Sequence, residues 1–186
     1  MLDEIYAEVK QHLANSIDAM KRDLSSIRTG RASASLLDGV RVEYYGTSTP
    51  LNQLAAISVP EPRLITVRPY EQNLIPEIEK IILADQKLGL NPSNDGTIIR
   101  VPIPELTGER RVEMTKIARA RAEEGRVAVR HGRRDGLDLV DAAKKDGDLS
   151  EDDARVAHEQ IQTLTNDSVK QIDDIIEAKE SEIMAV

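Results

Sequence analysis

Five arginines, Arg119, Arg126, Arg130, Arg133 and Arg134, follow one another at intervals of seven, four, three and one residues. At about 100° of turn per residue they occupy an arc only about 100° wide on a helix, so they form a stripe. Guanidinium groups are planar, always charged and carry five donors, a geometry suited to gripping phosphate bidentately and to stacking on bases. Around the stripe, residues 106–134 carry nine basic and four acidic residues, a local charge of +5, although the whole chain has a net charge of −8. The segment 146–186 is the reverse, with three basic and twelve acidic residues. Two readings compete. One is a solvated face paired to acids, because Glu123 lies inside the arc and the last helix is acidic. The other is an RNA-facing ridge. Three features favour the ridge: the residues are nearly all Arg, one acid cannot neutralise five of them, and Arg is the residue preferred on phosphate. Without an aromatic RNP-type pattern, the contact implied is to folded RNA, through shape and phosphate. Arg28 and Arg31 add cations near a predicted helix end, where they also serve as C-terminal caps.

Other kinds of chemistry find little support. His12, His131 and His158 stand apart, with no partner at a metal-binding or triad spacing. Asp173 and Asp174 sit on an acidic helix and read as a solvated face. No glycine-rich phosphate loop is present. The expectation is a non-enzyme with no metal and no cofactor.

The stripe needs a long helix to carry it. All eight prolines fall between residues 31 and 105, and each would cost a helix interior about 3 kcal/mol, so helices are expected on either side. Residues 1–29 place Leu2, Ile5, Val9, Leu13, Ile17, Met20, Leu24 and Ile27 at steps of three and four, an amphipathic seam. Two further helices are predicted over about 107–145 and 151–185, the second capped by Ser150 with Asp153 three residues on. Three such helices cover one another's apolar faces most simply as an elongated three-helix bundle. Between them, strands are predicted at 40–45, 54–59, 63–67 and 97–101, with a helix over 74–87. The class is α+β: a bundle domain of 1–29 and 106–186, interrupted by a small β/α/β sandwich domain of 30–105. The paired connections, Thr29 and Gly30 on one side and Pro104, Glu105 and Leu106 on the other, are predicted to form a hinge at 29–31 and 104–106. Gly125, Gly132 and Gly136 lower the propensity of the second long helix and predict local softness around its arginines. The chain has no cysteine and an acidic start unlike a signal peptide, and no apolar run approaches the roughly 20 residues of a membrane span. A soluble cytoplasmic protein is expected.

Several strings resemble the ribosome recycling factor family in order and spacing. They are IRTGRAS at 27–33, LLDG at 36–39, VEYYGT at 42–47, TPLNQLA at 49–55, LGLNP at 88–92, IRVPIPELT at 99–107 followed by ERR, and RVAVRHGRRD at 126–135. Ala34 departs from the family, where proline is common. The resemblance implies an L-shaped, tRNA-like monomer. It would bind the post-termination ribosome on large-subunit rRNA at the intersubunit face and, with elongation factor G and GTP, separate the subunits. The RNA-contact role passes to Arg28, Arg31, Arg126, Arg130, Arg133 and Arg134, and Arg119 joins them through the stripe. The competing reading is an acidic helical bundle that docks another protein.

Overall fold

The computed structural model describes residues 1–185. It divides into two compact units, residues 1–29 with those from Gly108 onward, and residues 30–107.

The first unit consists of three helices, α1 (Leu2–Ser25), α4 (Gly108–Lys145) and α5 (Glu151–Met184). Each buries a stripe at steps of three and four: Ile5, Val9, Leu13, Ile17, Met20 and Leu24 on α1, and Ile161, Ile172 and Ile183 among others on α5. The three stripes form one core, in which a fully buried Ile such as Ile161 contributes about 1.5–3 kcal/mol. At 1.5 Å per residue, α4 with its 38 residues runs about 57 Å. Gly147, at φ +85°, permits the reversal into α5. Ser150 then caps α5, its Oγ accepting from the Asp153 backbone N–H at 3.1 Å, with Glu151, Asp152 and Asp153 against the positive helix end. At the far end of α5, Arg111 donates to the carbonyls of Met184 and Ala185 at 3.2 and 3.3 Å.

The buried face of α4 is built from small residues: Ala118, Ala122, Gly125, Val129, Gly132, Gly136, Val140 and Ala143. This gives the three helix glycines a packing role that propensity alone does not reveal. A Cβ on Gly125 would stand 2.9 Å from Met20 Sδ, and one on Gly132 would stand 2.8 Å from His12 Cδ2. One on Gly136 would drive into Val9 Cγ2. The glycines let α1 and α4 approach more closely than side chains there would permit.

The second unit begins with a single 3₁₀ turn over Ala34–Leu37, capped by Ser33. A hairpin of β1 (Arg41–Tyr44) and β2 (Thr47–Pro50) follows, turned by Tyr45 and Gly46, both at positive φ, as a two-residue hairpin loop requires. One turn of helix, α2 (Leu51–Leu54), leads into β3 (Ala55–Glu61) and β4 (Leu64–Pro69). α3 (Ile75–Ala84), β5 (Ser93–Asn94) and β6 (Ile99–Pro102) complete the unit. The larger sheet is antiparallel in the order β3-β4-β6-β5. Alternate residues Ile65, Val67, Ile99 and Val101 are fully buried and share a core with Val42 of the hairpin and Ile78 and Ile82 of α3, the period of two expected of strands with one apolar face. The strands predicted at 40–45, 54–59 and 63–67 correspond to β1, β3 and β4. The remaining prediction, at 97–101, is displaced to β6, because Asp95 Oδ1 accepts from the backbone N–H groups of Thr97 and Ile98 and holds them in a turn. The predicted helix over 74–87 stops at Ala84.

Candidate nucleic-acid interface

The arginine stripe lies where α4 runs antiparallel to α5. Arg119 forms a two-point ion pair with Glu180, Nε donating to Oε1 and Nη2 to Oε2. Seven residues further along α4 and seven back along α5, Arg126 donates from Nη2 to Asp173 Oδ1 at 2.6 Å and from Nε at 3.1 Å. Another seven along, Arg133 meets amides in place of acids: its Nη1 donates to Gln162 Oε1 at 3.1 Å, and Gln162 in turn donates to Asn166 Oδ1 at 2.8 Å. Within α4, Glu123 accepts from both Arg126 and Arg130, at 3.1 and 3.0 Å.

These contacts divide the stripe. Arg119, Arg126 and Arg130 each have a carboxylate, so the reading of a face paired to acids is correct for three of the five. Among the described residues, no carboxylate lies within ion-pair distance of Arg133 or Arg134. Arg134 is exposed, and the Nε of Arg133 is buried without a hydrogen-bond partner. Hydrogen bonding to Glu180 raises the Arg119 pKa above its ordinary value, and Asp173 does the same for Arg126. In return, Arg130 and then Arg126 hold the Glu123 carboxyl below its ordinary range, and Arg119 lowers Glu180. Apart from Arg126, whose side chain is 23% exposed, the paired arginines remain open to water. Exposed pairs of this kind contribute only about 0–1 kcal/mol, so phosphates held in a row can replace the carboxylates at small cost.

Two features escaped sequence reasoning. Asp173 and Glu180 belong to the stripe's electrostatics, and only the antiparallel register of α4 and α5 reveals it. Arg121 belongs elsewhere: it pairs with Glu124 at 2.9 Å and lines an open groove of about 660 Å³ between α1 and α4 with Glu8, His12 and Asp23. That groove holds three carboxylates against one guanidinium and so has the wrong sign for phosphate. His158 Nε2 stands 3.0 Å from Asp141 Oδ1 across α4 and α5, without hydrogen-bond alignment.

The remaining predicted positions lie at the chain's passage between units. Arg28 and Arg31 are exposed. Thr29 donates from Oγ1 to Glu182 Oε1 at 3.1 Å. In the second unit, Gly30 takes φ +76°, and a Cβ there would stand 3.4 Å from Leu106 Cγ, so the start and end of that unit are adjacent. Glu105 pairs with Arg63, and Pro104 is exposed.

A family model described as ribosome recycling factor matches residues 20–184. The chain belongs to the ribosome recycling factor family. It is 50% identical to the ribosome-recycling factor of Desulforamulus reducens over the full length of both. It is equally similar to that of Anaeromyxobacter dehalogenans strain 2CP-C, across 99% of this chain and 97% of the relative. A solution structure of a ribosome recycling factor matches with a TM-score of 0.76 at 39% identity, covering all of this chain and 98% of the other. A second match, with a TM-score of 0.68 at 43% identity and full coverage of both chains, comes from models of the T. thermophilus ribosome recycling factor and E. coli elongation factor G bound to the E. coli post-termination complex. Among the described residues of this family member, no helix is long and apolar enough to cross a membrane.

Proposed function

We propose that this chain binds the post-termination ribosome through large-subunit rRNA, and that with elongation factor G and GTP it drives the subunits apart. The observation that carries the reading is the stripe on α4, a line of guanidiniums on one face of a helix about 57 Å long, with Arg133 and Arg134 uncompensated. In this reading the bundle is the anchor. Arg119, Arg126, Arg130, Arg133 and Arg134 grip phosphates, and Arg28 and Arg31 extend the contact. The chain performs no covalent step, since GTP hydrolysis belongs to the elongation factor. The passages Thr29–Gly30 and Pro104–Glu105–Leu106 act as the hinge through which the translocase moves the inserted domain against the anchored bundle. Support for the partners comes from the similar factor bound with elongation factor G on a post-termination complex.

Affinity that rests on phosphate contacts falls steeply with salt, because each contact releases a condensed counterion. The test is binding of the chain to isolated large subunits across a salt series, beside an Arg130→Glu, Arg133→Glu variant. The natural chain should show a steep loss of affinity with salt, and the folded variant should bind weakly with a shallower slope. Equal slopes for the two proteins would remove the stripe from the interface.

A further inference from the structure

The acids facing the stripe are placed too regularly to be a scatter of surface charge. Arg119 with Glu180 and Arg126 with Asp173 are successive rungs of one antiparallel ladder. Glu123 covers Arg130 from the same helix. The ladder of carboxylates stops at Arg133, which donates instead to the amide of Gln162, itself bonded to Asn166. Exposed pairs are poor helix clamps, since the attraction is screened and two long side chains must be held still. What a carboxylate does well is offer Arg the same fork of acceptors as a phosphate.

We propose that Glu123, Asp173 and Glu180 are internal counter-ions that mask the stripe in the unbound protein and thereby set its selectivity for RNA. Arg134, exposed, and Arg133, half-buried and held by an amide rather than a carboxylate, are the unmasked cations that make first contact with any phosphate. Arg119, Arg126 and Arg130 engage only RNA whose folded backbone holds several phosphates in line with the stripe. A tethered carboxylate competes at high effective concentration, so a single mobile phosphate does not displace it, whereas a fixed row of phosphates gains a contact at every rung. The masking deepens the RNA-binding reading above and rests on it.

The test is the isosteric triple variant Glu123→Gln, Asp173→Asn, Glu180→Gln, with its fold checked by circular dichroism. Binding is measured to large ribosomal subunits and to a generic RNA duplex across a KCl series. Unmasking should raise duplex affinity about tenfold or more at low salt and steepen the slope of log K against log salt by about 2.7, or about 0.9 for each of the three arginines set free. Subunit affinity should rise less, so the ratio of ribosomal to generic binding falls. A folded triple variant whose duplex affinity and slope match those of the natural chain overturns the masking and leaves the acids as helix clamps. Should the triple variant unfold, the single variants Glu123→Gln and Glu180→Gln give the same readout, with a slope change of about one each. The two ideas fail separately: a natural chain that does not bind subunits in a salt-sensitive way sinks the RNA reading, whereas salt-sensitive binding unaltered by neutralising the acids sinks only the masking.

Discussion

Gly136→Ala separates close packing from helix propensity. Alanine in a helix interior is favoured over glycine by up to about 1 kcal/mol, so propensity alone predicts that the substitution stabilises α4. The structure predicts the opposite. The new methyl would collide with Val9 Cγ2 and sit 3.4 Å from Ile161 Cδ1. Val9 is 2% exposed and β-branched, with little rotamer freedom to yield. Overpacking of this kind costs about 1–3 kcal/mol, which outweighs the propensity gain and leaves a net loss of about 1 kcal/mol, or roughly 2–4 °C in Tm for a chain of this size. Gly125→Ala should lose less: there the methyl meets Met20, with Sδ at 2.9 Å and Cγ and Cβ at 3.2 and 3.3 Å, and a flexible thioether yields more readily than a β-branched side chain. Calorimetric melts of the two variants decide the matter. Adding Val9→Ala should cost measurably less in the Gly136→Ala background than in the natural chain, a coupling expected of residues in contact. A Tm for Gly136→Ala at or above that of the natural chain would refute the close-packing argument.

Other outcomes follow from single contacts. Removing the α5 cap with Ser150→Ala should cost about 1 kcal/mol, read by urea denaturation, while Ser150→Thr should retain most of it. Tyr44 Oη donates to Glu71 Oε1 at 2.5 Å, and this hydrogen bond, with burial, pushes its pKa up to about 12. The neutral phenol is the form the fold favours, so the stability this contact provides is present below the ordinary value of 10.0 and lost as pH rises through about 12. A tyrosinate absorbance titration should show that late step, and Tyr44→Phe should abolish it. At the acid end, Glu123 and Glu180 are held below their ordinary 4.5, so the stability they provide is present above that value and is lost only as pH falls through their lowered pKa values. Carboxyl chemical shifts followed by NMR should show both titrating late, and Arg130→Gln should move Glu123 back up.

The long helices could be read from the chain because their signal is redundant. Steps of three and four from Leu2 to Leu24 repeat the same message six times over, and proline is excluded from both flanks. The small unit was harder to read. β2 spans Thr47–Pro50 with no fully buried residue, so it shows no apolar alternation to find, and Ser93–Asn94 is two exposed polar residues long. α3 ends at Ala84 because the chain leaves helical geometry at Asp85, at ψ 94°, which the apolar pattern of 74–87 does not signal. Within the candidate interface, the arginines were visible from type and spacing, and so was Glu123. Their division into paired and unpaired rungs was not visible, because Asp173 and Glu180 are remote in sequence and meet the stripe only through the register of two antiparallel helices. The packing role of the glycines was not visible for a related reason: propensity is a property of one helix, whereas the close approach of Gly136 to Val9 belongs to two.

We propose that the arginine stripe anchors a protein that takes ribosomes apart. The measurement that meets it most directly is subunit splitting of purified post-termination ribosomes by this chain with elongation factor G and GTP, monitored by light scattering, using the natural protein and the Arg130→Glu, Arg133→Glu variant. The account predicts rapid splitting by the natural chain and loss of splitting in the folded variant. Splitting by the variant at the natural rate would contradict the anchor, and no splitting by the natural chain with ribosomes and translocase of its own source would contradict the account as a whole.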